Sequence, residues 1–154
     1  MPHTRGLLRV ARRLTPDLST AEDLVQETML SAWRGFHQFT AGTNERAWLF
    51  RILINASHAR GRKLHAAPVT VAIADHDFPV AGGASILAIE IAQALDALSL
   101  EHREVLLLGV VEGFSSQEMA DILAVPIGTV MSRMSRARQA MREQLSPRTI
   151  GKEA

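Results

Sequence analysis

Apolar residues return every three or four positions along two stretches of this chain, roughly 5–63 and 86–146, the spacing that lines one side of an α-helix. Between them lies a segment with no helical period. It contains Pro68, Pro79 and the Gly82–Gly83 pair, and its β-like run, Val69–Thr70–Val71, is too short to anchor a sheet. The pattern predicts an all-α protein of two small helical modules, 1–63 and 86–154, joined by a linker over 64–85. At 154 residues, each module sits near the lower size limit for folding on its own core.

Caps and breakers mark the expected helices. A short opening helix covers Leu7–Leu14, with little room before it, and stops around Pro16. Ser19 with Glu22 forms a capping-box pattern, with Thr20 and Asp23 as an overlapping alternative, for a helix over about 20–36. A polar loop, Ala41–Gly42–Thr43–Asn44, precedes a third helix over about 45–60. In the second module Ile86–Leu98 is helical, and Ser99 caps a helix that runs to Glu112 and stops at Gly113. Ser115 and Glu118 make another capping box, for a short helix ending near Ala124. After the Val125–Pro126 turn a long helix runs to about Leu145, closed by Pro147.

Composition excludes several classes of function. The chain has no cysteine, which removes disulfide scaffolds, Cys-ligated metals and thiol nucleophiles. Its six histidines show no His-Glu-x-x-His spacing, and the sequence lacks a Gly-rich phosphate loop and a nucleophile elbow. The expectation is a protein that is not an enzyme and needs no cofactor or metal. Aromatic residues make up 5% of the chain with no Tyr, which leaves little material for an aromatic cage. The longest apolar run, Val105–Val111, is too short to span a bilayer, and Met1–Arg5 lacks the apolar core of a signal peptide. A cytoplasmic protein is expected.

The net charge of +1 conceals two poles. Residues 1–63 carry ten Lys or Arg against five acids, and 126–154 carry six against two; the middle holds a single Arg and nine acids. Two basic blocks fit two surfaces facing a polyanion. In the last helix, Ile127, Met134, Ala137, Met141 and Leu145 fall on the side of Val130, and the opposite side shows Thr129, Ser132, Ser135, Arg136 and Gln139, with Arg133 and Arg138 on the flanks. A short capped helix, a tight turn and a polar, basic second helix make a helix-turn-helix. Thr129, Ser132, Ser135 and Arg136 are then expected at base edges, and Arg133, Arg138 and Arg142 at phosphates.

The 45–60 helix has the same two-sided character. Leu49, Ile52, Leu53 and Ala56 form its expected buried stripe. Arg51, Asn55, His58 and Arg62 lie on the far side, with Arg46, Arg60 and Lys63 nearby. Trp48, at the stripe's boundary, reads as core. Thr43 and Asn44 offer small polar groups to an exposed base. The 20–36 helix differs: Val25, Met29, Ala32 and Phe36 are expected inside, and Asp23, Glu27, Arg34 and Leu30 outside. An apolar anchor with an acidic rim suits a protein partner and repels DNA.

These residues carry a family likeness. Asp23–Trp33, Ala47–Ile52 and Asn55 resemble region 2 of bacterial RNA polymerase sigma factors of the extracytoplasmic-function class. Arg103–Leu108, Glu112–Ser115, Glu118–Ala120, Pro126–Val130, Ser132–Arg133 and Arg136–Arg138 resemble region 4 of that class. The resemblance covers about three quarters of the chain, in the family's order. It implies a promoter-specificity factor with core RNA polymerase, promoter DNA and an anti-sigma factor as partners, and no small-molecule substrate. Asp23, Gln26, Glu27, Leu30 and Arg34 would dock on polymerase. Thr43, Asn44, Arg46, Arg51, Asn55, His58 and Arg62 would serve the −10 element, and Thr129, Ser132, Arg133, Ser135, Arg136 and Arg138 the −35 element. Met131 stands where the family often has a basic residue, and His58 where it often has an acid. A sigma-like decoy that titrates an anti-sigma factor and a stand-alone helix-turn-helix regulator remain as alternatives.

Overall fold

The computed structural model describes residues 3–66 and 86–145, with side-chain detail through residue 63 in the first stretch. Among the described residues there are seven α-helices and no strand: α1 (Thr4–Leu14), α2 (Leu18–Arg34), α3 (Glu45–Ala66), α4 (Ile86–Asp96), α5 (Leu100–Leu106), α6 (Ser116–Leu123) and α7 (Ile127–Leu145). The chain forms two compact units, one holding α1–α3 and the other built mainly on α4, α5 and α7. Of the expected linker, residues 64–66 continue α3, and 67–85 lie outside the described residues, as does Pro147.

In the first unit α1 packs on α2 and α3, and α2 packs on α3. The core joins Leu7, Val10 and Ala11 to Ala21, Leu24 and Val25 and to Leu49, Phe50, Leu53 and Ile54. Two expectations shift here. α1 begins at Thr4, one turn earlier than expected. α2 begins at Leu18 and is capped by Asp17, not by Ser19 or Thr20: an Asp17 carboxylate oxygen accepts the Thr20 backbone N–H at 2.7 Å. Asp17 sits next to Pro16 in extended backbone, where its side chain reaches the free N–H groups of the first turn.

That backbone hydrogen bond favours the charged carboxylate, so the Asp17 pKa lies below its ordinary value of 3.8. Capping is complete above that ordinary value and is lost as pH falls through the lower folded-state value. Asp17→Asn keeps an acceptor but does not titrate. Its melting temperature should therefore fall less than that of the wild type between about pH 5 and pH 2. Parallel thermal melts of the two proteins check this, and equal losses would refute the cap's role.

In the second unit α5 and α4 pack against α7. Arg103 closes the C-terminal end of α4. Its guanidinium donates to the carbonyls of Leu95 at 3.0 Å, Asp96 at 2.9 Å and Leu98 at 3.0 Å, taking up acceptors that the end of a helix leaves open. The helix expected to run from Ser99 to Glu112 changes character at Leu107, where α5 loosens into a π-helical turn, Leu107–Val111. Gly109 lies inside that turn. A Cβ there would stand 2.6 Å from the Met134 methyl of α7 and 3.0 Å from the Met119 methyl of α6. Both helices approach this one backbone position. Gly113 then turns the chain at φ +74°.

The capping box at α6 forms as expected: Ser115 N–H donates to Glu118 at 3.0 Å, and Glu118 N–H donates to the Ser115 hydroxyl at 3.1 Å. α7 runs from Ile127 to Leu145, the last of the described residues. Val130, Ala137 and Met134 face the core, whereas Ile127 is exposed.

Candidate docking and nucleic-acid faces

On α2 the five residues expected at a protein interface, Asp23, Gln26, Glu27, Leu30 and Arg34, are all exposed. At 100° per residue they share an arc of about 100° opposite the buried side. Leu30 is 56% exposed. Beyond it lie two residues the sequence reading did not place there: Trp33, 82% exposed, and Phe36, 64% exposed. Phe36 had been expected inside. α2 ends at Arg34 with Gly35, so Phe36 falls in a 3₁₀ turn (Phe36–Gln38) and leaves the helix face. The Phe36 and Phe39 rings are 6.1 Å apart, and Phe39 and Trp48 are 5.0 Å apart. Val25, Met29, Leu30, Trp33, Phe36 and Trp48 line an open groove of about 920 Å³. An exposed groove of this kind suits an apolar partner surface.

Glu27 stands at the edge of this arc and accepts from Arg60 of α3 at 3.1 Å. Both side chains are partly exposed, so the pair adds little stability. It does show that Arg60 belongs to the α2–α3 seam.

The outer face of α3 brings together four of the seven residues assigned to the −10 element. Arg51, Asn55 and Arg62 are exposed and His58 is half-buried; they share an arc of about 60°. Its buried face is centred on Phe50 and Ile54 along with Leu49 and Leu53, while Ile52 and Ala56 are only half-buried. Arg46 turns the other way, with its guanidinium 5.4 Å from the centre of the Phe50 ring. It is part of the core's cover and does not join the outer stripe. In the preceding loop, Gly42 takes φ +89°. Thr43 donates its hydroxyl to the Thr40 carbonyl at 2.6 Å, and Asn44 caps α3 by accepting the Ala47 N–H at 3.0 Å. Both side chains thus shape the turn.

α6 and α7 follow one another across a tight turn as a helix-turn-helix. Ala124 adopts φ 54° at the turn, and the Pro126 carbonyl receives the N–H groups of Thr129 and Val130. Ser132, Ser135, Arg136 and Arg138 are exposed along α7, and Thr129 is half-buried. Arg133 departs from expectation: its guanidinium pairs with Glu101 of α5 at 3.4 Å, so it ties two helices of the unit together. Met131, which the sequence reading left out of the interface, is 60% exposed on the same helix. No helix among the described residues is long and apolar enough to cross a membrane.

An exposed apolar groove and an outward basic stripe in one helical unit, in a chain that also carries a helix-turn-helix, are features of a transcription factor that works with a protein partner. Comparison with known proteins makes the class specific. Residues 1–65 match sigma-70 region 2 and residues 88–141 match sigma-70 region 4. The chain is 36% identical over 148 residues to the ECF RNA polymerase sigma factor SigL of Mycobacterium tuberculosis, covering 91% of this chain and 82% of SigL. It is 36% identical over 138 residues to SigM of the same species, covering 88% and 69%. Among solved structures it resembles the sigma factor RpoE of Bartonella quintana, crystallised with the anti-sigma factor NepR. That likeness has a TM-score of 0.76 and 36% identity, over 93% of this chain and 91% of RpoE. CnrH, solved with the cytosolic domain of CnrY, gives a TM-score of 0.70 and 26% identity over 95% and 84%. The chain belongs to the sigma-70 family, among its ECF sigma factors. As such it is a promoter-specificity factor for transcription initiation and not an enzyme.

Proposed function

We propose that the chain joins core RNA polymerase in the cytoplasm and directs it to promoters through a division of labour between modules 1–63 and 86–154, with 64–85 as the connection. The α2 arc, Asp23, Gln26, Glu27, Leu30 and Arg34, extended by Trp33 and Phe36, docks on the polymerase. The α3 stripe, Arg51, Asn55, His58 and Arg62, follows the separated −10 strand, with the Thr43–Asn44 loop beside it. Extruding a base costs a few kcal/mol, which a pocket and a charged track must offset. No hydrolysis is needed, because preferential binding of the open strand shifts the duplex equilibrium. α7 reads the −35 duplex with Thr129, Ser132, Ser135, Arg136 and Arg138. An anti-sigma factor is a further partner, a reading supported by the complex of RpoE with the anti-sigma factor NepR.

One observation carries this reading: a single chain holds both an apolar docking groove and a helix-turn-helix whose outer face is polar and basic. In vitro transcription on a genomic fragment library tests it. Transcripts should start only when core polymerase and this chain are both present, and their absence would overturn the reading. Arg136→Ala should weaken a selected −35 duplex by about 1–3 kcal/mol and relax preference at one position. If the loss is instead uniform over all sequences, with a shallower salt slope, Arg136 meets a phosphate.

A further inference from the structure

Met131 is a large apolar side chain standing in water on a helix assigned to DNA. Single exposed apolar residues are common on protein surfaces, so its exposure alone says little. Its placement says more. It follows Val130, which is fully buried and fixes the register of the second turn of α7. Ser132 and Ser135 are exposed beside it on the outward side. Residues at this level of a recognition helix reach base edges.

The surroundings define the chemistry. With Phe114, Met134, Ser135 and Arg138, Met131 lines an open groove of about 460 Å³. Its lining mixes methionine and phenylalanine side chains with serines and with Arg138 and Arg142. A thioether donates no hydrogen bond and is a poor acceptor, so it selects neither guanine nor adenine by pairing. In the major groove thymine alone presents a methyl group, next to its O4 acceptor. We infer that Met131 reads the 5-methyl group of a thymine in the −35 element, with Ser132 and Ser135 as the neighbouring hydrogen-bonding groups. This rests on the reading of the second module as the −35 module, and adds to it the chemistry of one base position.

The test uses the full chain assembled with core polymerase. Duplexes are first selected from a library randomised upstream of a fixed −10 element. In the selected sequence each thymine is then replaced, one at a time, by uracil, which removes only the methyl. One replacement should weaken wild-type binding about fourfold, the effect of exposing one methyl-sized apolar group. Met131→Ala should bind the thymine duplex about fourfold more weakly and should not distinguish thymine from uracil at that position. Met131→Arg should move the preference there toward guanine. The inference is overturned if the wild type distinguishes thymine from uracil nowhere, or if Met131→Ala keeps the full discrimination. It is also overturned if Met131→Ala weakens polymerase assembly without DNA, which would make Met131 a protein contact. Selection of no upstream element at all would instead defeat the −35 reading itself. Unchanged melting temperatures of both variants show that the fold is intact, as expected for an exposed position.

Discussion

Leu30→Asp combined with Trp33→Ala should reduce affinity for core RNA polymerase by about three orders of magnitude. Central apolar anchors of an interface each contribute roughly 2 kcal/mol or more on truncation, and a charge at Leu30 would be buried without a partner. At 56% and 82% exposure the two side chains contribute little to the unit's own core. The melting temperature should therefore stay close to the wild-type value, which separates lost docking from lost folding. Titration of labelled core polymerase measures the effect. Undiminished affinity would remove α2 from the interface. Trp33 is preferable to Glu27 as the second site, because Glu27 also pairs with Arg60, and changing it would alter two interactions at once.

The largest effect on stability is expected from Phe50→Ala. Phe50 is fully buried in the three-helix unit, and Arg46 covers its ring. Emptying such a site costs about 3–5 kcal/mol, comparable with the whole stability of a domain this small. Amide hydrogen exchange, read over residues 4–66, should lose its slowly exchanging core. Wild-type protection in that range would show that the unit tolerates the cavity.

The sequence revealed those parts of the fold whose signals are local. The Ser115–Glu118 capping box, the Val125–Pro126 turn and the Val130 stripe located α6 and α7 because each depends on residues a few positions apart. On α2 the helical period placed the inner and outer sides, and the sequence reading missed two points: Phe36 lies past the end of the helix in a 3₁₀ turn, and one inward residue looks polar. Thr28 is fully buried, yet its hydroxyl is satisfied by the Leu24 carbonyl of its own helix at 2.8 Å. Extending the helix through Phe36 hid the groove that Trp33 and Phe36 line. A spacing signal existed in Leu30 and Trp33, three apart on one helix face. The contacts that Arg133 and Arg46 make within the fold were not foreseen, for a different reason. Their partners, Glu101 and the Phe50 ring, are settled by side-chain direction and, for Glu101, by packing against another helix, which a charge tally does not see. The four outward residues of α3 were placed correctly, since their positions follow from helix period alone.

The missing side chain at Gly109 bears on attempts to retarget such a factor. α7 rests on a bed shaped by a residue that never faces DNA, with the Met134 and Met119 methyls occupying the space a Cβ would claim. Alanine at 109 would oblige those two flexible methyls to swing aside, so the packing beneath α7 would change at the Met134 and Met119 side chains. Retargeting α7 therefore touches 109, 119 and 134 together, because the side chains beneath the reading helix share one small space.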